Sequence, residues 1–174
     1  MIKLICDDQL LFNTLETFLS QKNIILLSSN KNYQTVLEIK SYEKYIKFKI
    51  NNHITEISKP IDINFLNSKI IKKIININFP LGRHNYFPYQ RVISSQNEKV
   101  YLSDIQNLII CNLIINQEGI DKNDLYNLIW KKDKSIFINK LDTHLTNLKK
   151  KLDQELNLKI YFQSQNKILR LLIN

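Results

Sequence analysis

The side chains best suited to holding a polyanion lie between residues 136 and 152. Asn139, Thr143, Thr146, Asn147 and Lys150 recur at three- and four-residue spacing, and Lys140, Lys149 and Lys151 flank them. Asp142 is the only acid in that span. On a helix such spacing collects the residues on one side. Amides and hydroxyls can exchange hydrogen bonds with base edges in a major groove wide enough for a helix, and ammonium groups beside them neutralise phosphates. An amphipathic helix with a solvated basic face uses the same residue types, so the surrounding pattern has to decide. Other chemistry is poorly provided for. Gly82 and Gly119 stand apart, so there is no glycine-rich phosphate loop. His53, His84 and His144 have no metal-ligand spacing, and no nucleophile–base set follows from chain order. An enzyme is therefore not expected. Cys6 and Cys111 form no CxxC pair and read as buried thiols, not as a disulfide or zinc site.

The elements that must position the 136–152 face are legible from periodicity. Leu141, Leu145, Leu148 and Leu152 form an apolar stripe along the same helix. Before it, Ser103-Asp-Ile-Gln106 is a capping box that opens a helix running to about Asn116, and Gly119 is a natural stop. Asp121 can cap a second helix carrying Leu125, Leu128, Ile129 and Trp130. Residues 91–94 and 99–102 read as a small hairpin, and 160–163 with 168–172 as a closing strand pair. In the first half, 3–6 and 24–27 read as short buried strands, and 11–19 as a helix. Residues 45–50 and 53–57 alternate around Asn51-Asn52, which tolerates a hairpin turn, and 62–75 is a helix capped by Asp62. Residues 77–88 hold two of the three prolines and one of the two glycines. That cluster reads as a linker. The expected division is 1–78, a linker at 79–88, and 89–174.

The chain has 174 residues, 25 basic and 16 acidic, for a formal charge of +9. A basic balance favours anionic partners. Part of it carries no such meaning, because the chain has no alanine and is crowded with Ile, Asn and Lys, the drift of AT-rich coding. No apolar run reaches membrane-span length, and Met1-Ile-Lys-Leu-Ile-Cys running into Asp7-Asp8 is too short and acidic for a signal peptide. A cytoplasmic protein with no membrane partner is expected.

From about Tyr86 to Asn174 the chain resembles the OmpR/PhoB-type effector domain of bacterial response regulators. The residues that carry the resemblance are Leu102-Ser-Asp-Ile-Gln, Leu125-Tyr-Asn-Leu-Ile-Trp130 and Leu141-Asp-Thr-His-Leu-Thr-Asn-Leu-Lys-Lys-Lys-Leu152. The resemblance implies an α+β winged helix-turn-helix fold, double-stranded DNA as partner, and transcription regulation within a two-component phosphorelay. It places Thr146, Asn147, Lys149 and Lys150 toward the groove, with Asn139, Lys140 and Thr143 on the same helix. Where the family's wing has an Arg-Gly-x-Gly-Tyr tip, this chain has Ser164-Gln-Asn-Lys-Ile168, which leaves Lys167 a phosphate contact at most. His144 and Trp130 match motif positions and read as structural. A winged helix can also serve as a protein-docking module with weak or no DNA binding, and the loss of wing glycines and arginines keeps that alternative open.

The first half resembles the receiver domain that precedes such effectors, in Met1-Ile-Lys-Leu-Ile-Cys-Asp-Asp at its start and Lys59-Pro60 with Leu66 near its close. The resemblance implies an α/β, flavodoxin-like domain, here truncated. In receivers the acidic pair helps to bind Mg²⁺, so Asp7 and Asp8 are a vestigial metal site with weak affinity, and no other cofactor is implied. The aspartyl phosphoacceptor is missing, because the family's interval lands on Asn51. The expected regulator is therefore not phosphorylated. A homodimer through the N-terminal half and a contact to RNA polymerase are the protein partners the resemblance allows.

Overall fold

The computed structural model describes residues 2–21, 35–130 and 138–173. These fall into two compact units, Met1–Asn76 and Ile77–Asn174. The strand expected at 24–27 and the first residues of the helix expected from 136 lie outside the described residues.

In the first unit the order is β1 (Lys3–Cys6), α1 (Gln9–Gln21), β2 (Val36–Ser41), β3 (Tyr45–Ile50), β4 (His53–Ser58) and α2 (Ile63–Ile74). The sheet runs β1-β2-β3-β4. Leu4, Leu37, Ile39, Ile46, Phe48 and Ile50 are buried, as are Leu15 and Leu19 of α1 and Leu66, Ile70 and Ile74 of α2. Lys40, Lys49, Ile54 and Glu56 stand exposed on the other side of the sheet. This alternation belongs to a sheet with one buried face.

A truncated flavodoxin-like domain is not what these strands build. Among the described strands only β1 and β2 are parallel, while β2, β3 and β4 form an antiparallel meander. The cause is local. Asn51 takes φ 51°, and with Asn52 it turns β3 straight back into β4, pairing Ile50 with His53. A parallel strand would need a crossover of a dozen or more residues there. The turn also overturns the place expected for Asn51. Its N–H donates to Val36 O, level with Lys3 at the start of β1, whereas Asp7 N–H donates to Ile39 O at the other end. Four strand residues separate the two levels, about 13 Å.

The second unit opens with an antiparallel sheet of β5 (Phe79–Leu81), β6 (His84–Phe87), β7 (Val92–Ser94) and β8 (Lys99–Tyr101). Then come α3 (Asp104–Ile115), β9 (Ile120–Asp121), α4 (Lys122–Ile129), α5 (Ile138–Leu156), β10 (Ile160–Gln165) and β11 (Ile168–Ile173). The last two strands form a hairpin, and β9 pairs with its far strand in the order β10-β11-β9. Three helices followed by a hairpin that folds back on the element before α4 is the order expected of a winged helix-turn-helix. The core joins Tyr86, Ile93, Ile109, Ile110, Leu125 and Tyr126 to the leucines of α5.

Residues 79–88 are not a linker. They form β5 and β6, joined by a turn in which Gly82 takes φ 61°. Pro80 is accommodated because β5 is an edge strand, where a missing N–H breaks no ladder. Tyr86 is fully buried and its hydroxyl donates to Asn107 Oδ1 at 2.8 Å. His84 Nε2 lies 3.1 Å from Leu156 O at the end of α5. The proline and glycine that suggest a break here make a hairpin instead.

Candidate nucleic-acid interface

The site is built on α5. Leu141, Leu145, Leu148 and Leu152 are each no more than 5% exposed, so the apolar stripe is seated in the core. Leu156 continues the spacing at 3%, and the helix runs four residues beyond its expected end at Leu152. Asn157 then stops it with φ 50°, a left-handed residue of the kind asparagine tolerates. The extra turn adds Asp153 and Glu155, so the basic face ends at Lys151.

On the side away from the leucines, Asn139, Thr143, Thr146, Asn147, Lys149 and Lys150 are exposed. Thr143 Oγ1 donates to Asn139 O at 2.7 Å, which leaves the hydroxyl oxygen available as an acceptor. Lys140 is half-buried, its Nζ 4.8 Å from the centre of the Trp130 ring, and Lys149 Nζ lies 4.9 Å from the Tyr161 ring of β10. These cation–π contacts fix the stems of two lysines along the helix flanks. Lys151 is half-buried and already engaged, donating to Tyr101 O of β8 at 2.7 Å.

Trp130 is not deep core. Half-buried at the end of α4, it packs at a tilt against Tyr126, ring centres 4.6 Å apart, and meets the His144 ring at 5.6 Å. The aromatic group thus links α4 to the first half of α5. His144 packs against a ring, in keeping with a structural role.

The hairpin β10–β11 turns through Asn166 and Lys167, both with positive φ (50° and 66°). Two such residues in succession match the right-handed twist of the strands. Lys167 is exposed at the tip, in a conformation that glycine usually supplies. Near the tip end of the hairpin, Gly119 at φ 106° passes in close contact with Ile168, Leu169 and Arg170 of β11.

The sequence pattern does not single out Lys122, which the structure joins to this site. Its ammonium bonds Asp142 Oδ1 at 2.9 Å and its N–H donates to Lys167 O, also at 2.9 Å. A signal was present in the sequence. A lysine in the first turn of a helix opposes the helix dipole and needs a compensating acid.

In the first unit, Asp7 Oδ1 accepts the Ser41 N–H at 2.9 Å and Asp8 Oδ1 accepts the Leu11 N–H at 3.0 Å, capping α1. Lys59 Nζ donates to Ser41 Oγ at 2.9 Å. Asp7, Asp8, Ser41 and Lys59 thus gather at one end of the sheet, and Asn51 lies at the other. Both carboxylates already serve backbone amides, and no group of three His, Cys, Asp or Glu able to hold a metal occurs among the described residues. This donor set does not fit a receiver's Mg²⁺ site. Burial, reinforced by the two carboxylates, pushes the Cys6 thiol up, and it stays protonated at neutral pH.

Among the described residues, no helix is long and apolar enough to cross a membrane. No model of a known protein family matches the chain, and no curated protein matches it. Among solved structures it is similar to one described as the C-terminal domain of the nisin resistance regulator NsrR, a lantibiotic response regulator. The identity is 24%, covering 54% of this chain and 93% of that one, with a TM-score of 0.42.

Proposed function

We propose that the chain is a double-stranded-DNA-binding transcription regulator that reads the major groove with α5 and acts without a catalytic or phosphoryl-transfer step. One observation carries the reading. The leucine seam of α5 is buried, and its Asn139, Thr143, Asn147 and Lys150 side faces outward. Amides and hydroxyls at the centre supply base-edge donors and acceptors, and lysines at the flanks and wing tip supply phosphate contacts. The bidentate guanine contact typical of arginine has no counterpart on α5, so adenine and phosphate contacts weigh more. Two copies, joined through their first units, would address half-sites about one helical turn apart. RNA polymerase is the further protein partner of such a regulator.

The test is the salt dependence of duplex binding. Four lysines (Lys140, Lys149, Lys150 and Lys167) should give a log–log slope of about −3 to −4, and Lys150→Ala should make it shallower by about one. A slope near zero would remove DNA from the reading. A second reading, a protein-docking module, draws on Tyr161 and Leu172, an exposed apolar pair directly opposite each other on the wing. On that reading Tyr161→Ser abolishes the partner interaction and Lys150→Ala leaves it unchanged.

A further inference from the structure

We propose that Lys122 is a positioning residue that ties the wing to the recognition helix and contacts no phosphate itself. The inference rests on the DNA-binding reading for its consequence, but its geometry stands apart from it. Four attachments meet on two consecutive residues. Asp121 caps α4 by accepting the N–H groups of Asn123 and Asp124, and its backbone pairs with Ile168 in β11. Lys122 then donates its own N–H to Lys167 O at the wing tip and its ammonium to Asp142 on α5. One residue therefore holds the tip of the hairpin by its backbone and the recognition helix by its side chain.

The electrostatics support this assignment. Lys122 is only 22% exposed at its side chain, against 47% for Asp142, so the pair is partly withdrawn from solvent. Removing one member leaves a partly desolvated charge without its partner. The pair also explains an anomaly. Asp142 is the one acid in the stretch of α5 that carries Thr143, Thr146, Asn147 and Lys150, and a free carboxylate there would repel a phosphate backbone. Bound to Lys122, its charge is neutralised, and the helix can present its amides to the groove. The dipole at the start of α4 disfavours a cation, and Asp142 offsets that as well.

Two roles for Lys122 predict opposite results. If it were a surface cation for phosphate, Lys122→Met would weaken binding and flatten the salt slope by about one, and Asp142→Asn would tighten binding. As a tie, each single change weakens binding by about three- to tenfold with the slope unchanged. The swap Lys122→Asp/Asp142→Lys then restores affinity to within about twofold.

The experiment uses the full chain and a labelled random-sequence duplex of about two helical turns, titrated across salt. Amide hydrogen exchange is followed in parallel without DNA. The Lys122 amide, held by Lys167 O, should exchange faster in both single variants and recover in the swap, while the Leu148 amide in the core stays protected. A flattened slope in Lys122→Met, tighter binding in Asp142→Asn, or unchanged Lys122 exchange in both variants overturns the proposal. Parent chain that binds no duplex, with exchange behaving as stated, would remove the DNA reading and leave the tie standing.

Discussion

Gly119→Ala is the most discriminating single change in the second unit, because β9, α4 and the wing all depend on the chain passing close beneath β11. A Cβ at residue 119 would sit 2.9 Å from Arg170 Cγ and 3.2 Å from Leu169 O, and would collide with Ile168 Cγ2. Crowding of that kind costs about 1–3 kcal/mol. The backbone adds to it, since φ is 106° and an L side chain on the positive side costs about 1–2 kcal/mol. Together these predict a loss of about 2–5 kcal/mol. At a slope near 2 kcal/mol per molar, the urea midpoint should fall by about 1–2.5 M. The protein offers a natural probe, because its single tryptophan, Trp130, packs against Tyr126 within the same unit. Its fluorescence reports the second unit and not the first. A change below about 0.5 kcal/mol would mean that Gly119 does not cross β11 as described, and the attachment of the wing would have to be redrawn.

Lys167→Gly should stabilise the second unit by about 1 kcal/mol, since it relieves the positive φ at the wing tip, while making the DNA salt slope shallower by about one; urea titration and duplex binding measure the two effects separately. Above pH about 10 the second unit should lose stability. Burial pushes the Tyr86 and Tyr89 hydroxyls and the Cys111 thiol up, so the folded state keeps protons that the unfolded chain releases. That stabilisation is complete below the unfolded values and disappears as pH rises past them. Tyr86→Phe should blunt the alkaline loss in a pH-dependent melt. Asp8→Ala should cost about 1 kcal/mol through loss of the α1 cap, and millimolar Mg²⁺ should leave parent and variant melting temperatures unchanged.

The helices of the second unit were legible because each carries a chemical marker as well as a period. Ser103 and Gln106 form both bonds of a capping box, Asp121 caps α4, and the α5 leucines keep their spacing through to burial. The sheets were read less well, for reasons visible in single residues. Pro80 and Gly82 mark a break on local chemistry, and only the edge position of β5 makes them compatible with a strand. The residues of β2, a strand absent from the sequence reading, alternate between buried and outward positions. Their pairing partners lie on β1 and β3, so pairing across sequence distance, not local pattern, reveals that strand. Of the α5 face, residue types told which side could meet a nucleic acid. They could not tell that Lys151 is engaged by Tyr101 O or that Lys122 is engaged by Asp142, because those partners come from other elements.

The hairpin at Asn51-Asn52 has a consequence for how this chain could ever be switched. A carboxylate introduced by Asn51→Asp would stand on a tight bend at the foot of the sheet, at least about 13 Å along the strands from the acidic pair at the other end and farther still from Lys59. That one codon would not bring a phosphoacceptor to the end of the sheet that holds Asp7, Asp8 and Lys59. The strand order itself would have to be rebuilt first, so no single substitution at this turn can bring the three groups together.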